Sequence, residues 1–176
     1  MKRLIALILS AMLLLLAGCS DKTAKEPEKE TTPVVPSSYS ADLHINFNDK
    51  IIEGKYIQQS LGNIEIKFTS PRAIKGVSIK YEGTECTFGY AGLTLSTDLS
   101  KLPETNVGKM MIESFKKASG DSAITKEKVE DKWIYKGTNN EKEFTITQDA
   151  KTGFFEKIEM PFYKFTAELT NFVTEK

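Results

Sequence analysis

Hydrophobic and polar residues follow three successive rhythms along this chain. The first is an almost unbroken apolar run from Leu4 to Leu16, interrupted by Ser10, preceded by Lys2 and Arg3, and closed by Ala17-Gly18-Cys19. The second, Ser20 to Ser40, is rich in Lys, Glu, Thr, Pro and Ser, and Val34, Val35 and Tyr39 are its sizeable apolar residues. The third begins at Ala41 and has period two. Leu43, Ile45 and Phe47 alternate with Asp42, His44 and Asn46. The pattern returns in Ile64, Ile66 and Phe68, in Val77, Ile79 and Tyr81, in Cys86, Phe88 and Tyr90, and in Leu93 and Leu95. Such alternation predicts half-buried strands, and one wet face favours antiparallel pairing.

The alternation breaks at Ser100. Pro103 and Glu104 suit a helix start, and Val107, Met110, Met111, Ser114, Phe115 and Ala118 follow helical spacing. Lys116 and Lys117 complement the C-terminal dipole, and Gly120 is a stop signal. A polar loop is expected next, with Glu127, Glu130 and Asp131 interleaved among lysines. Strands then resume around Trp133 and Phe144 and over Phe154–Met160 and Tyr163–Val173. Turns are expected at Leu61-Gly62-Asn63, Glu82-Gly83-Thr84 and Asp149–Gly153, where glycine tolerates positive φ. These elements predict one α+β domain over residues 41–176, with eight or nine consecutive strands and one inserted helix. A curved antiparallel sheet, a half-barrel with an amphipathic helix on its concave side, is the most economical packing.

Composition changes the picture mainly at the N-terminus. A charged start, a short apolar stretch and small residues at its exit describe a secretory signal peptide over residues 1–18. The run is too short for a stable membrane span, which takes ~20 residues. Leu16-Ala17-Gly18-Cys19 resembles the bacterial lipobox, which implies cleavage before Cys19 and acylation of its sulfur with palmitate-type chains. Each buried methylene contributes ~0.8 kcal/mol, so the two or three chains of such an anchor hold firmly. Residues 19–40 then read as the lipidated cysteine and a disordered tether. The expected address is the extracytoplasmic face of the cell membrane. The chain carries 24 basic and 24 acidic residues, and losing Lys2 and Arg3 leaves a formal side-chain charge of −2. No positive field is present to draw in nucleic acid.

Catalytic chemistry finds little support. His44 is the one histidine and alternates onto the polar face of its strand, which leaves no multi-histidine metal site and few triads. No phosphate-cradling loop, nucleophile elbow or paired-cysteine zinc spacing occurs. Cys86 reads as a buried strand residue without a disulfide partner once Cys19 is acylated. Neither an enzyme nor a cofactor is expected.

Gly54-Lys55-Tyr56-Ile57 and Ile64–Pro71 ("IEIKFTSP") resemble the early strands of the LolA-like superfamily of periplasmic and lipoprotein β half-barrels. Tyr90–Lys109 ("YAGLTLSTDLSKLPETNVGK") also resembles small lipoproteins of Gram-positive anaerobes placed near it. The resemblance implies that residues 41–176 handle acyl chains or related hydrophobic cargo between sheet and helix. On that reading Phe88, Tyr90, Trp133 and Phe144 line a groove, and Met110, Met111 and Phe115 form its adaptable lid. The other reading of the same aromatics is a filled core. The domain would then be a structural or regulatory module binding an envelope protein. An open groove favours the first reading and a packed interior the second.

Overall fold

A computed structural model describes residues 31–120 and 124–174. The signal segment and Cys19 lie outside these residues. Alternation becomes eleven strands: β1 (Tyr39–Phe47), β2 (Lys50–Ser60), β3 (Asn63–Ser70), β4 (Ser78–Glu82), β5 (Glu85–Tyr90) and β6 (Leu93–Asp98), then β7 (Thr125–Val129), β8 (Lys132–Asn139), β9 (Lys142–Asp149), β10 (Phe155–Met160) and β11 (Phe165–Val173). One helix, α1 (Val107–Gly120), separates the two runs. All strands form a single antiparallel sheet in the order β6-β5-β4-β3-β2-β1-β11-β10-β9-β8-β7. Two meanders are therefore joined by pairing β1 with β11, Leu43 opposite Leu169 and Ile45 opposite Ala167.

Several turns are set by backbone handedness. Asn48-Asp49, Ala91-Gly92 and Asn140-Glu141 all have positive φ and close two-residue hairpins at Phe47–Lys50, Tyr90–Leu93 and Asn139–Lys142. These are type I′ turns, whose twist matches that of the strands they join.

One face of the sheet is buried. Leu43 and Ile45, Tyr56, Ile64 and Ile66, Tyr81, Phe144 and Ile146, and Ile158 are all at most 3% exposed. His44 lies on the opposite, exposed face, as its phase predicts. Full burial of each large apolar side chain contributes ~1.5–3 kcal/mol, so this face carries the fold without a disulfide.

The helix starts later than Pro103 and Glu104 suggested. Asn106 is its cap: Oδ1 accepts the amide of Lys109 at 3.0 Å and the Tyr81 hydroxyl at 2.8 Å. Proline could occupy only the first helical position, whereas asparagine's side chain answers an orphan amide directly. At Gly108 a Cβ would overlap the Tyr81 hydroxyl, so α1 lies nearly against β4. Farther along, Phe115 stacks on Phe155 of β10 with centroids 4.8 Å apart and meets the edge of Tyr56 of β2. Lys117 Nζ donates to the Thr138 carbonyl of β8 at 2.7 Å. A flat sheet would hold β4 and β8 about 34 Å apart at ~4.8 Å per strand, yet they meet α1 at Gly108 and Lys117, only about 14 Å apart along the helix at ~1.5 Å per residue. The sheet therefore curls around α1.

Two expectations are corrected. Thr125–Val129, expected within a polar loop, is the edge strand β7, paired with β8 from Thr125–Lys136 to Val129–Lys132. All five of its residues are exposed, so burial imposes no alternation to read. The tether expected to reach Ser40 ends sooner. Tyr39 and Ser40 belong to β1, and residues 32–38 lie along the domain.

Candidate functional site

The space expected between sheet and helix is filled. Met110, Met111, Phe115, Trp133 and Phe144 are all 7% exposed or less and belong to one continuous core. The three helix residues expected as a lid are packed into this core. The physical reason is aromatic volume. Phe115, Phe155, Tyr135 and Tyr56 interlock through one stacked and two edge-on contacts, which occupies the concavity under the middle of α1.

Open space lies at the helix's C-terminal end. A cavity of about 360 Å³ is bounded by Ala118 and Ser119 of α1, Leu61 in the β2–β3 turn, Lys126 of β7, Tyr135 of β8 and Phe155 of β10. Its outer wall is the segment Thr32–Ser37. This volume lies at the lower end of small-molecule sites. Its walls are mostly apolar. The Lys126 ammonium stands 5.5 Å from the Tyr135 ring centre, at the β7 side of the cavity.

Two buried glutamines hold the outer wall. Gln58 Nε2 donates to the Pro36 carbonyl at 2.9 Å while its Oε1 accepts the Tyr56 hydroxyl at 2.9 Å. Gln148 Nε2 donates to the Pro33 carbonyl at 3.2 Å and to the Gly153 carbonyl at 2.8 Å, and its Oε1 accepts the Tyr135 hydroxyl. Burial pushes the Tyr56 and Tyr135 hydroxyls above their ordinary titration range, so both stay protonated as donors. Gly153, at φ +77°, passes so close to the Val34 carbonyl that a Cβ would collide with it. Proline is suited to this segment because its fixed φ limits the conformations lost on docking.

A second feature is the uncovered end of the same concave face. Phe88 and Tyr90, both expected groove residues, meet Leu93 and Leu95 of β6 across the β5–β6 ladder. Tyr90, Leu93 and Leu95 are 58%, 75% and 69% exposed. With Val77 they border a shallow depression of about 190 Å³. Of the seven residues expected to share a groove, the structure brings Phe88 and Tyr90 together here and buries the other five in the core.

The cavity residues were largely missed from sequence. Tyr135 and Phe155 lie in segments expected simply as strands, and Val34-Val35 read only as apolar residues within a polar stretch. A usable signal was present in Gln58 and Gln148. Each is polar at an inward phase, after Gly54 and Tyr56 in one strand and after Phe144 and Ile146 in the other. A buried amide at such a position must find partners, and here it binds a returning backbone.

No family model matches the sequence, and no curated protein matches it. Solved structures do match. An uncharacterized conserved protein from Thermus thermophilus superposes with a TM-score of 0.53 at 7% identity, covering 80% of each chain. A LolA superfamily protein from Nitrosomonas europaea gives 0.42 at 8% identity, over 80% of this chain and 87% of that one. A domain named for outer membrane lipoprotein sorting, from Vibrio parahaemolyticus, gives 0.45 at 7% identity, over 80% and 86%. The open antiparallel meander with one helix is the architecture that the LolA-like resemblance led us to expect. At these identities the likeness is one of fold alone.

Proposed function

We propose that this chain is a non-enzymatic binding protein of the cell envelope, anchored through acylated Cys19, that takes an acyl chain or similar hydrophobic ligand. The observation that carries this reading is the apolar cavity between the end of α1, strands β7, β8 and β10, and the Thr32–Ser37 segment. The site lies beside the helix terminus, where the aromatic packing ends. An acyl chain would lie against Leu61, Ala118 and Phe155, and an anionic head group would face Lys126. Among the described residues no helix is long and apolar enough to cross a membrane.

The test is titration of the full chain with cis-parinaric acid, a fatty acid that fluoresces when shielded from water. Saturable fluorescence is expected for the native chain. Ala118→Phe should abolish it by filling the cavity, while Lys126→Ala should weaken it. Fluorescence unchanged in a folded Ala118→Phe protein would sink the reading.

The second reading, a module that binds protein, draws on the packed interior and on the exposed apolar wing of β5 and β6.

A further inference from the structure

We propose that the free edge of β6 is a self-association surface, on which two copies pair their β6 strands antiparallel about a two-fold axis through Leu95. This inference is independent of the acyl-chain reading and rests on a different part of the molecule.

Among the described residues β6 terminates the sheet, so one side of its backbone has no strand beside it. Alternate residues of an antiparallel strand turn their N–H and C=O groups to opposite sides. The tight Tyr90–Leu93 hairpin sets the phase: Leu93, Leu95 and Thr97 address β5, and Thr94 and Ser96 address the open edge. Natural edges of this kind carry charge, proline or a covering element, since a bare row of amides invites another strand. Leu93-Thr94-Leu95-Ser96-Thr97 has no charge and no proline. Its concave side is the exposed apolar wing, which a monomer would leave in water.

The choice of a second copy follows from what the two-fold places opposite what. Antiparallel pairing centred on Leu95 sets Leu95 against its own equivalent, Leu93 against Thr97, and Thr94 against Ser96. Asp98, the strand's one charged residue, falls opposite Gly92. No like charges meet, the outward-turned residues Thr94 and Ser96 bond each other, and both concave faces stay on the same side. The two Tyr90-Leu93-Leu95 patches then join into one apolar strip. The other edge excludes the equivalent arrangement. Centred on Glu127, β7 would oppose Glu127 to Glu127 and Lys126 to Lys128, a repulsive pairing. A closed, isologous dimer through β6 uses up the uncharged edge and leaves no further strand to add.

Sedimentation velocity of the full chain tests this. The native protein is expected to sediment as two chains in the micromolar range, and Leu95→Lys and Thr94→Pro as one, with unchanged circular dichroism because both positions are exposed. Leu95→Cys should cross-link to its equivalent under mild oxidation, since non-hydrogen-bonded antiparallel pairs have Cα atoms ~4.5 Å apart, within disulfide reach. The yield should exceed that of native protein and of Glu127→Cys several-fold. A single-chain mass for native protein at every concentration would overturn the proposal. So would a dimer that survives both Leu95→Lys and Thr94→Pro, or Leu95→Cys cross-linking no better than Glu127→Cys.

Discussion

The sheet ends in two unlike ways. β7 is five exposed residues with Lys126, Glu127 and Lys128 in succession, and Lys136 of the neighbouring strand bridges Glu127 at 2.7 Å. β6 is exposed at every position but Thr97 and presents leucine, threonine and serine before Asp98. Beside β7 the concave face is partly covered by the end of α1 and by Thr32–Ser37, leaving a half-open cavity. Beside β6 it is bare. A charged edge resists another strand, whereas an uncharged apolar edge invites one. The difference teaches that exposure alone does not distinguish an idle surface from a contact surface; the residue types on the exposed strand do.

The largest expected effect sets the packed interior against the bare wing. Phe115→Ala should cost about 3–5 kcal/mol, because a stacked, enclosed ring is lost and its cavity cannot collapse. Leu95→Ala should stay within about 0.5 kcal/mol in the monomer, where the side chain touches little. Urea unfolding at concentrations below association measures both. Comparable losses at the two positions would show that the wing is not open.

Next in size is the seam between α1 and β4, which decides how far the helix reaches toward the bare wing. Gly108→Ala should destabilise by about 1–3 kcal/mol, because the Tyr81 hydroxyl must leave Asn106 to admit a methyl group. Tyr81→Phe made together with Gly108→Ala should recover part of that loss.

A smaller effect belongs to the β7 side. Lys132 Nζ lies 2.9 Å from Asp149 Oδ2 and 2.8 Å from Glu156 Oε2, and the Asp149 carboxylate also accepts the Thr152 and Lys151 amides. Lys132 and these amides hold the Asp149 carboxyl far below its ordinary 3.8. A depressed folded-state value means that the stabilisation is complete above the unfolded-state value and is lost as pH falls from about 3.8 downward. Asp149→Asn should therefore cost about 1–2 kcal/mol at neutral pH. It should also flatten the acid limb of a stability–pH profile; an unchanged limb would refute the assignment.

The smallest change in stability should bring the clearest change in behaviour. Lys126→Thr, Glu127→Leu and Lys128→Thr together make β7 resemble β6 and should alter folding stability by no more than about 1 kcal/mol. The triple variant should nonetheless yield higher oligomers by light scattering, because each chain then has two pairable edges. If it stays in the native oligomeric state, charge is not what guards β7.

Period-two spacing determined most strands and their inward faces, since burial of one face writes itself into alternation. The inward set Leu43, Ile45, Ile64, Ile66, Ile79 and Tyr81 was legible, as was a helix ending at Gly120. β7 left no such trace because nothing on it is buried. The same rule hid the cavity. A strand's pattern tells which side faces inward but not what fills the inside, and whether Met110, Met111 and Phe115 cover a groove or close it depends on Phe155, Tyr135 and Tyr56 arriving from distant strands. The Thr32–Ser37 wall depended on Gln58 and Gln148 reaching a segment whose composition alone reads as tether. Local pattern is fixed by one residue's exposure, whereas cavity, wall and free edge are set by volumes and partners contributed from far along the chain, which only the folded arrangement brings together.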